Sequence, residues 1–177
     1  MKRAVSVVYL PWILFFLQFV LLACVAEKTA PVPKTYGEGS VIAVWDLEDM
    51  SVTVHPALGA MQEFLSARIS ETLSTTGGFE LVERQKLILA LEELSLGSSS
   101  LASQSSRLEV GRVLGAQLMV FGGYQLIGKQ FRVDLRMVEV ASGVVLRAAE
   151  STVVSADMEG WLGAAEQAAV QLIPSGE

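Results

Sequence analysis

The sequence predicts an α/β fold: a single domain with one mixed β-sheet packed by helices, in the order β-α-β-α-α-β-β-β-α. Three observations carry this expectation. The chain has 177 residues, room for one domain at about 150 residues each. Its apolar pattern switches between short β-branched runs and stretches spaced by three and four residues. The last three apolar runs are joined by two short glycine-containing turns, which makes them an antiparallel meander.

The elements follow in order. Val41-Ile42-Ala43-Val44-Trp45-Asp46-Leu47 is apolar without strict alternation, as a central strand buried on both faces requires. From Ala57 to Thr76, the residues Ala57, Leu58, Met61, Phe64, Leu65, Ile69, Thr72 and Leu73 form the stripe of an amphipathic helix, stopped by Gly77-Gly78. Phe79 to Val82 reads as a second strand. A second helix runs from Arg84 to Leu96, with Leu87, Ile88, Leu91 and Leu94 on its apolar side, and ends at Gly97. The six serines between Ser98 and Ser106 read as a loop. A short helix from Arg107 to Leu114 closes at Gly115.

Strands are predicted at Gln117 to Leu126, Gln130 to Val140 and Val144 to Ser155, with Gly128-Lys129 and Ala141-Ser142-Gly143 turning between them. In the middle strand Phe131, Val133, Leu135 and Met137 alternate with Arg132, Asp134 and Arg136, so one face is covered and the other meets water or a partner. The last helix is capped by Asp157, runs to Ile173, and buries Met158, Trp161, Leu162, Ala165, Ala169 and Leu172. Trp45 and Trp161 fall on buried elements and read as core.

The amino terminus differs from everything after it. Lys2 and Arg3 precede an apolar run from Ala4 to Ala23, ending in Leu21-Leu22-Ala23-Cys24. That is the layout of an export signal, and the tetrapeptide resembles the lipobox of bacterial lipoproteins, whose cysteine is acylated and becomes the first mature residue. About 20 apolar residues could also span a bilayer, although Pro11 and Gln18 interrupt this run. The resulting organisation is a signal peptide at 1–23, a lipid anchor and flexible tether at 24–40, and the α/β domain at 41–174. The proline-containing tether could reach roughly 50 Å when fully drawn out. By the sorting rule that the lipoprotein resemblance implies, Val25, where many retained inner-membrane lipoproteins carry aspartate, points to an outer-membrane anchor facing the periplasm.

After Cys24 the chain has 11 basic and 19 acidic residues, a net charge of −8. That argues against a nucleic-acid partner and against polybasic docking on lipid. One cysteine and one histidine exclude an internal disulfide and a histidine-rich metal site.

Five ordered features then carry a family resemblance: Val41-Ile42-Ala43-Val44; Phe79-Glu80-Leu81-Val82-Glu83-Arg84; Leu114-Gly115-Ala116 leading into Val120-Phe121-Gly122; Val133 to Val140; and Ser142-Gly143. With the lipobox they resemble the curli-assembly (CsgG) lipoprotein family, whose periplasmic fold is similar to the penicillin-binding-protein activator LpoB and the TolB amino-terminal domain. The resemblance implies a non-enzymatic envelope protein acting through contacts with another envelope protein or its own copies, without cofactor. It could support assembly or export of a surface structure of curli or flagellar type, or activation of a wall synthase. The alternative is a subunit of an oligomeric secretion channel. A membrane hairpin needs two strands of about 9 to 11 residues, and neither Glu48 to Pro56 nor Gly97 to Ser106 can hold one.

Few residues could carry chemistry. Asp46, Glu48 and Asp49 could hold a hard cation, but their spacing matches no calcium loop and they read as a solvated acidic turn. His55 reads as a surface or capping residue, and no catalytic or phosphate-binding motif is present. Glu83 suits a helix amino terminus, with Arg84 pairing to a neighbouring carboxylate. Glu83, Arg84 and Leu89, the last projecting from the polar side of its helix, are the expected interface residues.

Overall fold

The computed structural model describes residues 36–52, 58–93, 103–154 and 157–174, all within one unit, Tyr36–Glu177. Cys24, His55, Leu94, Leu96 and the expected signal peptide lie outside the described residues.

β1 (Val41–Val44) pairs in parallel with β3 (Glu80–Leu81) on one side and β4 (Leu118–Ile127) on the other. β4, β5 (Gln130–Glu139) and β6 (Val145–Val154) form the antiparallel meander, giving the order β3-β1-β4-β5-β6. The predicted first strand ends at Val44 instead of Leu47. A short strand follows, β2 (Glu48–Asp49), also parallel to β4. Val44 lies opposite Val120 and Glu48 opposite Gly123, so four steps along one strand match three along the other. The extra residue is accommodated as a bulge. Leu47 there turns wholly into the core, and its N–H donates to the Ser66 hydroxyl at 3.3 Å instead of to β4.

Among the described residues four helices cover the sheet: α1 (Met61–Thr75), α2 (Arg84–Glu93), α3 (Gln104–Val113) and α4 (Met158–Leu172). α1 and α4 pack on one face, where Ile42, Leu118, Val120, Leu135 and the alanines of α4 form the larger apolar cluster. Alanine brings the helix axis close to the strands. Phe131 stands at the centre of this cluster, its ring 5.9 Å from Tyr124 and 5.2 Å from Trp161. α2 and α3 build the smaller cluster on the opposite face around Ala43, Leu87, Leu108, Met119 and Val138. Among the described residues, neither covers the part of β5 that carries Arg132, Asp134 and Arg136.

Several expected details change. α3 begins at Gln104, inside the serine run, because Ser103 caps it by accepting from the Ser106 N–H at 3.2 Å. Phe64, Ile88 and Met158, predicted to be on apolar stripes, are exposed. In α1 the buried line passes through Met61, Leu65, Ile69 and Leu73, leaving Phe64 on its flank; in α2 only Leu87 and Ala90 are buried. Asp157 caps α4 as expected, accepting from the Gly160 N–H at 2.9 Å.

Gly122 and Gly123 are dictated by close approach. A β-carbon at Gly122 would lie 2.3 Å from the Asp134 carbonyl oxygen, and one at Gly123 would lie 2.9 Å from that of Glu48. Tyr36 to Ser40, counted above with the tether, are tied to the fold: Gly39 N–H donates to the Gly78 carbonyl at 2.8 Å, and the Tyr36 hydroxyl donates to Glu139.

Candidate interaction site

Parallel strands end together at their carboxyl termini, and the space beyond them is where α/β sheets place ligands and contacts. Here the ends of β1 and β3 open into a groove of about 410 Å³ between α1 and the start of α2, lined by Val44, Asp46, Glu63, Ser66, Leu81 and Arg84. Arg84, the first residue of α2, reaches across it: Nη2 lies 3.1 Å from Asp46 Oδ2 and Nη1 lies 3.7 Å from Glu63 Oε1. Burial raises the Asp46 carboxyl above the usual carboxylate range; the Arg84 guanidinium opposes that shift and the Glu63 charge adds to it. One arginine thus holds two carboxylates on different elements at a half-exposed rim.

Glu83 borders the same groove but points elsewhere, its carboxylate 3.4 Å from Lys86 Nζ. Its carbonyl accepts from the Lys86 N–H, which starts α2. Leu89 does not line the groove. It is 56% exposed on the outer side of α2, with Ile88 beside it at 46%. The structure therefore brings Glu83 and Arg84 together and leaves Leu89 on a separate apolar spot.

The acidic turn is not simply solvated. Asp46 goes to Arg84, Glu48 to Arg107 of α3 at 2.6 Å, and the Asp49 carboxylate accepts from the Ser51 N–H at 2.9 Å. The three carboxylates diverge, and no group of three potential metal ligands converges among the described residues. The Arg107 guanidinium also stacks 5.7 Å over the Trp45 ring, which lies 6.4 Å from Phe121. Sequence reasoning missed this column. Its only signal was Trp45 at a strand end, since Arg107 followed a serine run with no periodicity to give its facing. Among the described residues, no helix is long and apolar enough to cross a membrane.

The family model for the curli production assembly/transport component CsgG matches residues 30–126. That span contains three of the five sequence features that carried the resemblance. No curated protein matches the chain significantly. Among solved structures, the LpoB carboxyl-terminal domain from Salmonella enterica is similar with a TM-score of 0.59 at 20% identity, covering 68% of this chain and 86% of that one. The LpoB carboxyl-terminal domain from Escherichia coli gives 0.54 at 20%, covering 68% and 87%. The PelC dodecamer from Paraburkholderia phytofirmans gives 0.51 at 14%, covering 79% and 88%. These likenesses establish a shared fold, and the match over more than half of the sequence establishes kinship: the chain belongs to the CsgG family.

Proposed function

We propose that this protein is an outer-membrane-anchored periplasmic lipoprotein, a non-enzymatic adaptor that binds an envelope protein during assembly of a surface structure or activation of a wall synthase. Membership of the CsgG family carries the reading, together with Leu21-Leu22-Ala23-Cys24 behind an apolar signal. Acyl chains on Cys24 would hold the protein at the membrane, each buried methylene contributing about 0.8 kcal/mol. The groove held by Arg84, with Glu83 on its rim and Leu89 nearby on α2, is the contact surface. The channel reading is less favoured, because the long β4–β5 hairpin is not free to enter a bilayer: β4 is hydrogen-bonded to β1 on one side and β5 on the other.

The test has two parts. In growing cells the protein should incorporate labelled palmitate and fractionate with the outer membrane, and Cys24→Ala should abolish both. A photo-crosslinker at Glu63 should give one discrete adduct that Arg84→Ala removes. That variant should keep the fold, since an exposed ion pair contributes about 0 to 1 kcal/mol. Stepwise conductance from the purified protein in planar bilayers, or an unlabelled protein that stays soluble, would overturn the adaptor reading.

A further inference from the structure

On the sheet face that carries α2 and α3, counter-charges are shared out unevenly. Arg132 of β5 takes both neighbouring carboxylates: its Nε and Nη2 donate to Asp134 at 2.6 to 3.0 Å, and Nη2 also donates to Glu150 at 2.6 Å. Glu48 goes to Arg107 at 2.6 Å. Arg136, two residues beyond Asp134 on the same face, is exposed and receives none; its guanidinium makes no hydrogen bond or ion pair among the described residues.

Arg136 lines a notch of about 200 Å³ between the first turn of α3 and the strands β4, β5 and β6. Phe121 and Val138, both buried, form its floor with the half-exposed Val145. Gln104 stands on the rim, its side-chain amide also without a hydrogen bond among the described residues. Arg107 closes one wall, its guanidinium already engaged by Glu48 and the Trp45 ring.

Pockets for small molecules usually run from about 300 to 1,000 Å³, so this notch is sized for the side chains of a docked segment. Its three parts suit peptide. The floor accepts an apolar side chain, the Gln104 carboxamide can pair with a backbone amide through both its donor and its acceptor, and the Arg136 fork matches a carboxylate with two parallel N–H···O bonds. The charged residues of the lining, Glu48 against Arg107 and Arg136, leave one positive charge on a chain whose formal net charge is −6. An acidic segment is therefore the complementary occupant. We propose that the notch is a second contact site, which binds an extended peptide segment carrying an acidic residue two positions from an apolar one. The spacing follows because alternate side chains of an extended chain point to the same side.

The notch shares no residue with the groove, so the inference stands apart from the adaptor reading. The full chain, isotope-labelled and extracted in mild detergent, is titrated with the peptide Ac-Val-Ser-Glu-Ser-Val-NH2 and followed by nuclear magnetic resonance. The Arg136 Nε–H signal, assigned by its loss in Arg136→Gln, should shift saturably together with the backbone amides of Phe121, Val138 and Val145. Exchanging the peptide's glutamate for glutamine, or Arg136 for glutamine, should weaken binding about tenfold or more, since each removes a charge-assisted pair. Arg136→Gln alters an exposed side chain and should leave the rest of the spectrum in place. No saturable shift, equal affinity for the glutamine peptide, or binding that Arg136→Gln leaves unchanged would each overturn the proposal. Acetate reproducing the Arg136 shift at the same midpoint would also overturn it, by showing a site indifferent to peptide. Palmitate labelling and the Glu63 cross-link decide the adaptor reading separately.

Discussion

Tyr36 donates to Glu139 at the far end of β5, and Ser142 donates to the other oxygen of the same carboxylate. Burial, then this hydrogen bond and the Glu139 charge, push the Tyr36 phenol up to about 12. The folded state therefore holds this proton more tightly than the unfolded chain, whose tyrosines ionise near 10. The stabilisation is fully present below about pH 10 and is lost as the pH rises towards about 12. Denaturant titrations across that range should show stability falling, and Tyr36→Phe should make the fall shallower. A remnant is expected from Tyr124, raised by burial and then by the Asp49 charge. At this scale the sequence was partly legible. An arginine opening a helix is expected to find a carboxylate, and Arg84 does. Which carboxylates could not be read, because Asp46 lies 38 residues away and is brought near only by β1 sitting beside β3.

Among the elements, α4 depends on a cap that the sequence announced. Asp157 occupies the extended conformation of a cap residue and its side chain satisfies the Gly160 N–H. Asp157→Ala should cost about 1 kcal/mol in urea unfolding; a loss under a few tenths would mean that water replaces the side chain fully. The meander was equally legible, since β4, β5 and β6 fall within a residue or so of their predicted limits and turn at Gly128 and Gly143, both with positive φ. Two elements were hidden for physical reasons. β2 has two residues with exposed acidic side chains, so its strand character comes only from backbone pairing with Gly123 and Tyr124. The first turn of α3 consists of polar residues that alone read as loop, and the Ser103 hydroxyl, not apolar periodicity, sets its start. Ile88 marks the limit of stripe reading: no neighbour among the described residues covers it, and hydrophobicity alone cannot reveal that.

For the molecule as a whole, the larger apolar cluster ties α1 and α4 to four strands, and Phe131 joins three of those parts through its contacts with Tyr124 and Trp161. Phe131→Ala should cost about 3 to 5 kcal/mol, a large share of the about 5 to 15 kcal/mol that holds a domain together. Thermal unfolding followed by tryptophan fluorescence should report it; a small shift would show that the ring stack is incidental. The layered fold and family were readable because they rest on order and periodicity, which survive the misplacement of single residues. The groove was less readable because it forms where three distant segments end. The position of β1 also has a mechanical consequence. A pull arriving through Tyr36 passes along β1, which is bonded in parallel to β3 and β4 on its two sides. Such a load falls on several backbone hydrogen bonds at once, in shear, instead of opening them one after another like a zip. A domain tugged from that end should yield only at high force.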